Sequence, residues 1–174
     1  MIDGNELIFT VDDNNIPIEP VSRQQAHRNG IWHRVSDIWI INKEKEILVQ
    51  KRSALKDTNP KKWEPFFGGH VAAYEEYIDN AVKELEEELG LLVNKNQLQF
   101  VTINKDEQTK HFKGVFYTKF ENEIRKIILE KEEIDNIKWI NIYTLYNLLL
   151  TQKKPNWVHV DYEKDMLDIL KDVA

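Results

Sequence analysis

The apolar positions of this chain change period several times, and each change marks an element. Short β-branched runs come first. Residues 6–11 (ELIFTV) and 16–21 (IPIEPV) flank Asp12-Asp13-Asn14-Asn15, a turn-forming cluster. The pattern predicts a hairpin whose second strand is confined to an edge by Pro17 and Pro20. Residues 22–30 are polar and predict a loop or a short helical turn. Two further runs, 35–41 and 47–50, are separated by the polar stretch 42–46 and predict a second hairpin. Residues 52–62 are charged and end in Asn59-Pro60, a loop. Residues 63–71 are aromatic and carry Gly68-Gly69, which predicts a strand that bends as it leaves for a helix.

Within residues 75–89 the period becomes helical. Ile78, Ala81, Val82, Leu85 and Leu89 fall on one stripe, Glu75 and Glu76 suit the positive N-terminal end, and Gly90 is a natural stop. Beyond it, residues 98–103, 115–120 and 137–140 predict strands, and residues 143–150 and 162–170 predict helices. Residues 121–135 show no clear period. Strands before, between and after helices imply an α/β fold, with helices packed on a mixed sheet. Neither repeat nor linker interrupts the chain, so one domain is expected over residues 1–174.

Charge changes the picture at the end of the main helix. Glu84, Glu86, Glu87 and Glu88 crowd together just before Gly90. Carboxylates at i, i+3 and i+4 repel, and the C-terminal end of a helix already carries partial negative charge. Such a cluster is either a solvated face or a cradle for a cation. At about 100° per residue, Glu84, Glu87 and Glu88 share a face beside the apolar stripe. Glu86 points elsewhere and is expected to be exposed. The helix can therefore bury one side and aim three carboxylates into a cleft.

Composition narrows the classes. The formal charge of −6 weighs against a nucleic-acid polymer or a membrane surface as partner. With no cysteine, disulfides, thiolate metal sites and a cysteine nucleophile are excluded. No run approaches a membrane span, and the acidic start lacks a secretory pattern, so a cytoplasmic location is expected. A homodimer is compatible with the sequence.

The stretch 69–91 resembles the Nudix box. Gly69 is followed after five residues by Glu75 and, after seven more, by Lys83-Glu84-Leu85-Glu86-Glu87-Glu88-Leu89-Gly90-Leu91. One position departs: Lys83 stands where the family has Arg. The resemblance implies a Nudix-type α/β/α sandwich with a mixed sheet. It also implies Glu84, Glu87 and Glu88 as ligands of Mg²⁺ or Mn²⁺, and Glu75 as the group that orients loop and helix through the basic residue at Lys83. Lys keeps the charge but not Arg's planar fork. The expected reaction is hydrolysis of a pyrophosphate linkage in a nucleoside diphosphate derivative or a related organic pyrophosphate.

The likeness extends to the branch related to isopentenyl-diphosphate isomerase through His27, Trp32-His33-Arg34, residues 48–53, Trp63, Gly68-Gly69-His70, and Glu133-Ile134 with Trp139. Three departures count against the isomerase reaction. Gly68 stands where the isomerases need a cysteine. Thr109-Lys110-His111-Phe112 holds no carboxylate where they need a glutamate pair. The box also keeps all its metal glutamates. A nucleotide-sensing module without turnover is the third class, disfavoured by the same intact box.

Other residues are weighed against plainer roles. Arg52, at a strand end, is taken as a phosphate contact, and Lys51 as a surface charge. His27, His33 and His70 are open to metal or phosphate contacts, since isomerase relatives use histidines in corresponding regions. His27 and His33 are nonetheless read as structural. His70, whose backbone adjoins the box with that of Gly69, is placed with the substrate-binding residues, equally open to a structural role. Trp63, Phe66 and Phe67 are assigned to the core. Glu130, Glu132 and Glu133 are candidates for the general base.

Overall fold

The fold rests on alternation in its central strands. A computed structural model describes residues 6–120, 126–152 and 154–173. In chain order its strands are β1 (Leu7–Ile8), β2 (Val21–Ser22), β3 (His33–Ile41), β4 (Glu46–Arg52), β5 (Trp63–Glu64), β6 (Gln99–Asp106), β7 (His111–Lys119) and β8 (Ile134–Asn141). The helices are α1 (Arg23–Asn29), α2 (Tyr77–Leu89), α3 (Ile142–Tyr146), which runs on into a wider turn over Asn147–Thr151, and α4 (Glu163–Val173).

Side chains of β3 and β4 are apolar on both faces, and two cores result. Ile38, Ile40, Leu48 and Phe116 turn toward Tyr77, Ala81, Leu85 and Leu89 of α2. Trp39, Ile41, Ile47, Val49 and Val115 turn the other way, toward Ile142, Leu145 and Leu149 and then Met166, Leu167 and Leu170 of α4. Helices on both faces of a mixed sheet make the α/β/α sandwich. Phe67 is buried in the first core, while Trp63 and Phe66 pack against the second.

The hairpin expected between β3 and β4 is confined to its turn. The two strands pair only at Ile41–Ile47. The side chain of Asn42 shapes the turn, its Oδ1 accepting from the Glu44 and Glu46 amides at 3.0 and 2.9 Å. The strands then diverge. β3 lies parallel to β7 from His33–His111 to Ile41–Lys119, and β4 lies antiparallel to β8. Apolar residues on both faces require both strands to be central, and each finds its main partner far along the chain.

Other boundaries shift. The first predicted hairpin shrinks to the pairs Leu7–Ser22 and Ile8–Val21, with Pro17 and Pro20 outside regular strand. Residues 23–29 form α1, capped by the Ser22 hydroxyl, which accepts from the Gln25 amide at 3.2 Å, and closed by Gly30 in the left-handed region. Glu76 is the extended N-cap of α2, so Glu75 lies in the turn before the helix. Part of the aperiodic stretch, residues 121–125, lies outside the described residues.

The bent segment after β5 places the box. Ile38 donates its amide to the Phe67 carbonyl at 2.8 Å, and Ser36 donates to Gly69 at 2.9 Å. Between them Gly68 has φ +132°, and a Cβ there would run into the Ser36 carbonyl oxygen. Only glycine threads this crossing.

Candidate active site

A cavity of about 1070 Å³ opens beside α2. Glutamates line one end, histidines the other, and Gly68, Gly69 and His70 run between them.

The glutamate end is built by the last turns of α2. Its apolar stripe is held against β3, so the adjoining face carrying Glu84, Glu87 and Glu88 is aimed into the cavity. Gly69 has no Cβ to block the Glu84 carboxylate, which lies against its backbone. Glu88 is only 6% exposed, and its Oε2 accepts the Gly68 amide at 3.1 Å. Asn80, one turn earlier, donates through Nδ2 to the His70 carbonyl at 3.0 Å and to Glu84 Oε1 at 3.3 Å. Burial, with the charge of Glu87 adding to it, pushes the Glu84 carboxyl up to about 7. Burial also pushes Glu88 well above the usual carboxylate range, reinforced by Glu84 and Glu64. Two carboxyls withdrawn from water side by side retain protons near neutrality unless another cation replaces them. These residues therefore fit the divalent cation that the box implies.

Glu87 is the exposed member, its side chain 57% accessible and 3.8 Å from Lys83 Nζ. The expected link between Lys83 and Glu75 is not what the structure has. Lys83 pairs with Glu87 one turn along, because both project from the same helix face. Glu75 lies outside the cavity lining, with its Oε2 buried and unpartnered among the described residues.

Basic residues face the carboxylates. Arg52 lines the cavity, donating from Nη1 to Glu64 Oε1 at 2.8 Å and from Nε to the Thr58 carbonyl at 3.0 Å. Burial raises the Glu64 carboxyl, and Arg52 works against that shift. Lys56 forms an ion pair with Glu133, which lines the cavity together with Glu130 and Glu132. Sequence reasoning missed Lys56 and Asn80. Nothing about a lone lysine in a charged loop, or an asparagine in a helix, marks either without the fold.

At the far end four histidines converge, among them His27 and His33, which the sequence reading took as structural. His27 comes from α1, His33 and His111 are register partners at the starts of β3 and β7, and His70 follows Gly69. Their ring nitrogens lie within 4.8 Å of one another. Burial holds His33 down at about 4 and keeps His27, His70 and His111 below the usual histidine range as well. His111 was passed over because its place beside His33 appears only once β7 is paired with β3.

Carboxylates at one end, buried beside glycine backbone and faced by cations, have the chemistry expected of a hydrolase site. The chain belongs to the Nudix family: the NUDIX domain model matches residues 32–160. An uncharacterized Nudix hydrolase of Clostridium acetobutylicum is 29% identical over 153 residues, 83% of this chain and 74% of that protein. Nudix hydrolase 3 of Arabidopsis thaliana is 27% identical over 86% of this chain, which spans only 21% of that longer protein. Isopentenyl-diphosphate Delta-isomerase 2 of Photorhabdus laumondii is 26% identical, covering 83% of this chain and 82% of that one. Among solved structures, DR0079 from Deinococcus radiodurans shares the fold with a TM-score of 0.75 at 17% identity, over 96% of this chain and 98% of that one. The Nudix domain of Shewanella oneidensis NrtR, solved with ADP ribose, superposes with a TM-score of 0.59 at 9% identity, over 82% and 88% of the two chains.

Proposed function

We propose that this chain is a divalent-metal-dependent hydrolase that cleaves the pyrophosphate linkage of a nucleoside diphosphate derivative or a related organic pyrophosphate. The observation that carries this is the pairing of Glu84 and Glu88, buried side by side against Gly68 and Gly69 at the wall of a large cavity. Such carboxylates suit Mg²⁺ or Mn²⁺, which take oxygen ligands and leave positions for substrate phosphate. Glu84, Glu87 and Glu88 would hold the ion, which when bound activates a water and offsets charge at the leaving phosphate.

The chain's own residues prepare that chemistry. The Gly68 amide fixes Glu88, the bare backbone of Gly69 admits Glu84, and Asn80 orients Glu84. Lys56, Lys83 and Arg52 are the cations lining this end of the cavity that would meet substrate phosphates. Glu133 is assigned the role of general base. It lies close enough to Glu84 and Glu88 to raise both, and Lys56 holds it in place. The cavity accommodates a diphosphate between two organic groups, the class to which the ADP ribose of the Shewanella domain belongs.

The test is a screen of nucleoside di- and triphosphates, dinucleoside polyphosphates, nucleotide sugars and prenyl diphosphates with Mg²⁺ and Mn²⁺. Turnover by the natural chain should vanish in the Glu87→Gln, Glu88→Gln double variant while its circular dichroism is unchanged. Full activity in that variant would sink the assignment. Isopentenyl diphosphate should give no dimethylallyl product, since the glycine-only backbone at residue 68 leaves no room for the isomerase cysteine.

A further inference from the structure

One wall of the cavity takes no part in the hydrolysis just described. Asp37 lies on the face of β3 opposite Ile38 and on the same face as Trp39, where the second core opens into the cavity. The residue is 6% exposed and lines the cavity. The Tyr162 hydroxyl donates to Asp37 Oδ2. Burial, with the Asp37 charge adding to it, pushes Tyr162 well above the usual phenol range, so this donor keeps its proton. Asp37 Oδ1 accepts no hydrogen bond among the described residues. Lys113 on β7 acts on Asp37 through its charge, but its hydrogen bond goes to Asp106 Oδ2 at 2.7 Å. A buried carboxylate oxygen without a donor is costly, and nearly every such group in a folded protein has one. Here the missing donor has to come from what the cavity holds.

The surroundings of this oxygen are aromatic and aliphatic. The Phe66 ring lines the cavity and packs on Trp39 with 6.3 Å between ring centroids. The Phe66 carbonyl accepts from Gln50 Nε2 at 2.7 Å, which fixes the segment that carries the ring. Val158 and Val160 add to the lining, held by the Val158 amide on the Trp63 carbonyl at 2.8 Å and the Val160 amide on Glu163 Oε1 at 2.6 Å. Tyr162 follows directly, its ring 6.4 Å from that of Trp39. Glu64, ion-paired with Arg52, links this wall to the glutamates: its charge acts on Glu88, and that of Asp37 acts on it.

We propose that this wall is the subsite for the organic group of the substrate, and that Asp37 selects a nucleobase presenting an exocyclic amino group, with Phe66 against its ring. The inference rests on the pyrophosphatase reading, which puts the diphosphate at the glutamate end. Adenine and cytosine carry amino donors at N6 and N4, and a carboxylate is a fitting acceptor for either. Hypoxanthine and uracil carry a carbonyl at those positions, which sets oxygen against oxygen. A prenyl chain would fill the apolar surface but leave Oδ1 unpaired, at the full cost of a buried charge without a donor. A phosphate placed here would meet Asp37 itself and Glu64. An aromatic face suits the flat ring of any base, so Phe66 contributes affinity and Asp37 the choice among bases.

The test uses the full chain and matched ligands, CMP with UMP and AMP with IMP, titrated by calorimetry in Mg²⁺. Each amino-bearing nucleotide should bind ~10–100-fold more tightly than its carbonyl partner, the range of a hydrogen bond to a charged group. Asp37→Asn, its fold checked by circular dichroism, should erase or reverse both preferences, because an amide also donates. If that variant misfolds, the natural chain decides the question by NMR, since CMP should shift the backbone amides of residues 37, 66 and 158–160. Turnover of CDP-glucose and UDP-glucose separates the two readings. An amino preference in binding with neither sugar nucleotide cleaved removes the hydrolase and keeps the base subsite. Cleavage of both with equal kcat/KM removes the base subsite and keeps the hydrolase. Equal affinities within the pairs, no binding of any of the four nucleotides, or a preference that survives Asp37→Asn would also overturn the proposal.

Discussion

The two ends of the cavity present opposite kinds of side chain, and they are assembled in opposite ways. The glutamate end is local: three carboxylates from two turns of one helix, set by spacing that any straight α-helix would realise. The histidine end is non-local, drawing one residue from each of four segments that meet only after β3 and β7 pair in parallel. One end concentrates negative charge and needs a cation to be comfortable. The other is held uncharged by burial. The difference teaches that a single cavity can be written twice, once in a motif and once in a topology.

The sharpest way to break the glutamate end is at its buried pair. Glu84→Gln or Glu88→Gln should lower metal-dependent turnover by more than ~100-fold, beyond the loss expected for an orienting residue. Phosphate release against a folded variant measures it. The same variants carry a pH signature. Because folding raises the Glu84 carboxyl from about 4.5 to about 7, its contribution to stability is intact below 4.5 and is lost as pH rises through 7. In EDTA, the melting temperature of Glu84→Gln should therefore gain on the natural chain as pH climbs through that window. Saturating Mg²⁺ should cancel the gain by stabilising only the natural chain.

Substituting the crossing point comes next. Gly68→Cys forces a Cβ into the Ser36 carbonyl at a φ that side chains rarely adopt. Strain of this kind costs about 1–3 kcal/mol, and steric overlap adds to it. A thermal melt should show the loss, and no isomerase activity should appear.

These effects also show why one end was legible in the sequence and the other was not. Gly69, Glu75 and the glutamates lie on one contiguous stretch, so spacing alone assembled them. The β-branched runs 35–41 and 47–50 read as the two strands of a hairpin, but no local pattern could say that their main partners were β7 and β8. The economical hairpin survives only at its turn for that reason. The same ignorance hid the histidines. His33 and His111 are separated by most of the central chain and become neighbours through a register that no local pattern encodes. Read singly, His33 was taken as structural, and His111 was noted only within a stretch lacking a carboxylate.

A change at Asn80 should sharpen the comparison by touching both ends at once. Its Nδ2 holds the His70 carbonyl and Glu84 Oε1, while its Oδ1 is buried with no partner among the described residues. Asn80→Ala should weaken Mg²⁺ or Mn²⁺ binding by ~10–100-fold through loss of Glu84 orientation. Titration of Mg²⁺ or Mn²⁺ into the folded variant and the natural chain measures the loss.

The smallest expected effect lies at Lys83, the one letter that departs from the box. Its ammonium sits 3.8 Å from Glu87, a half-exposed pair in the range where ion pairs change little. Lys83→Arg should therefore alter turnover by less than about 5-fold. The direction is informative. A guanidinium offers a planar fork and can hold two carboxylates at once. Glu75 has a buried, unpartnered Oε2 in the turn before the helix, waiting for such a donor. If the arginine reaches it, turnover and melting temperature should both rise slightly, and both gains should vanish when Glu75→Gln is added. If the gains survive that second change, the arginine acts through Glu87 alone, and Glu75 has no orienting role in this chain.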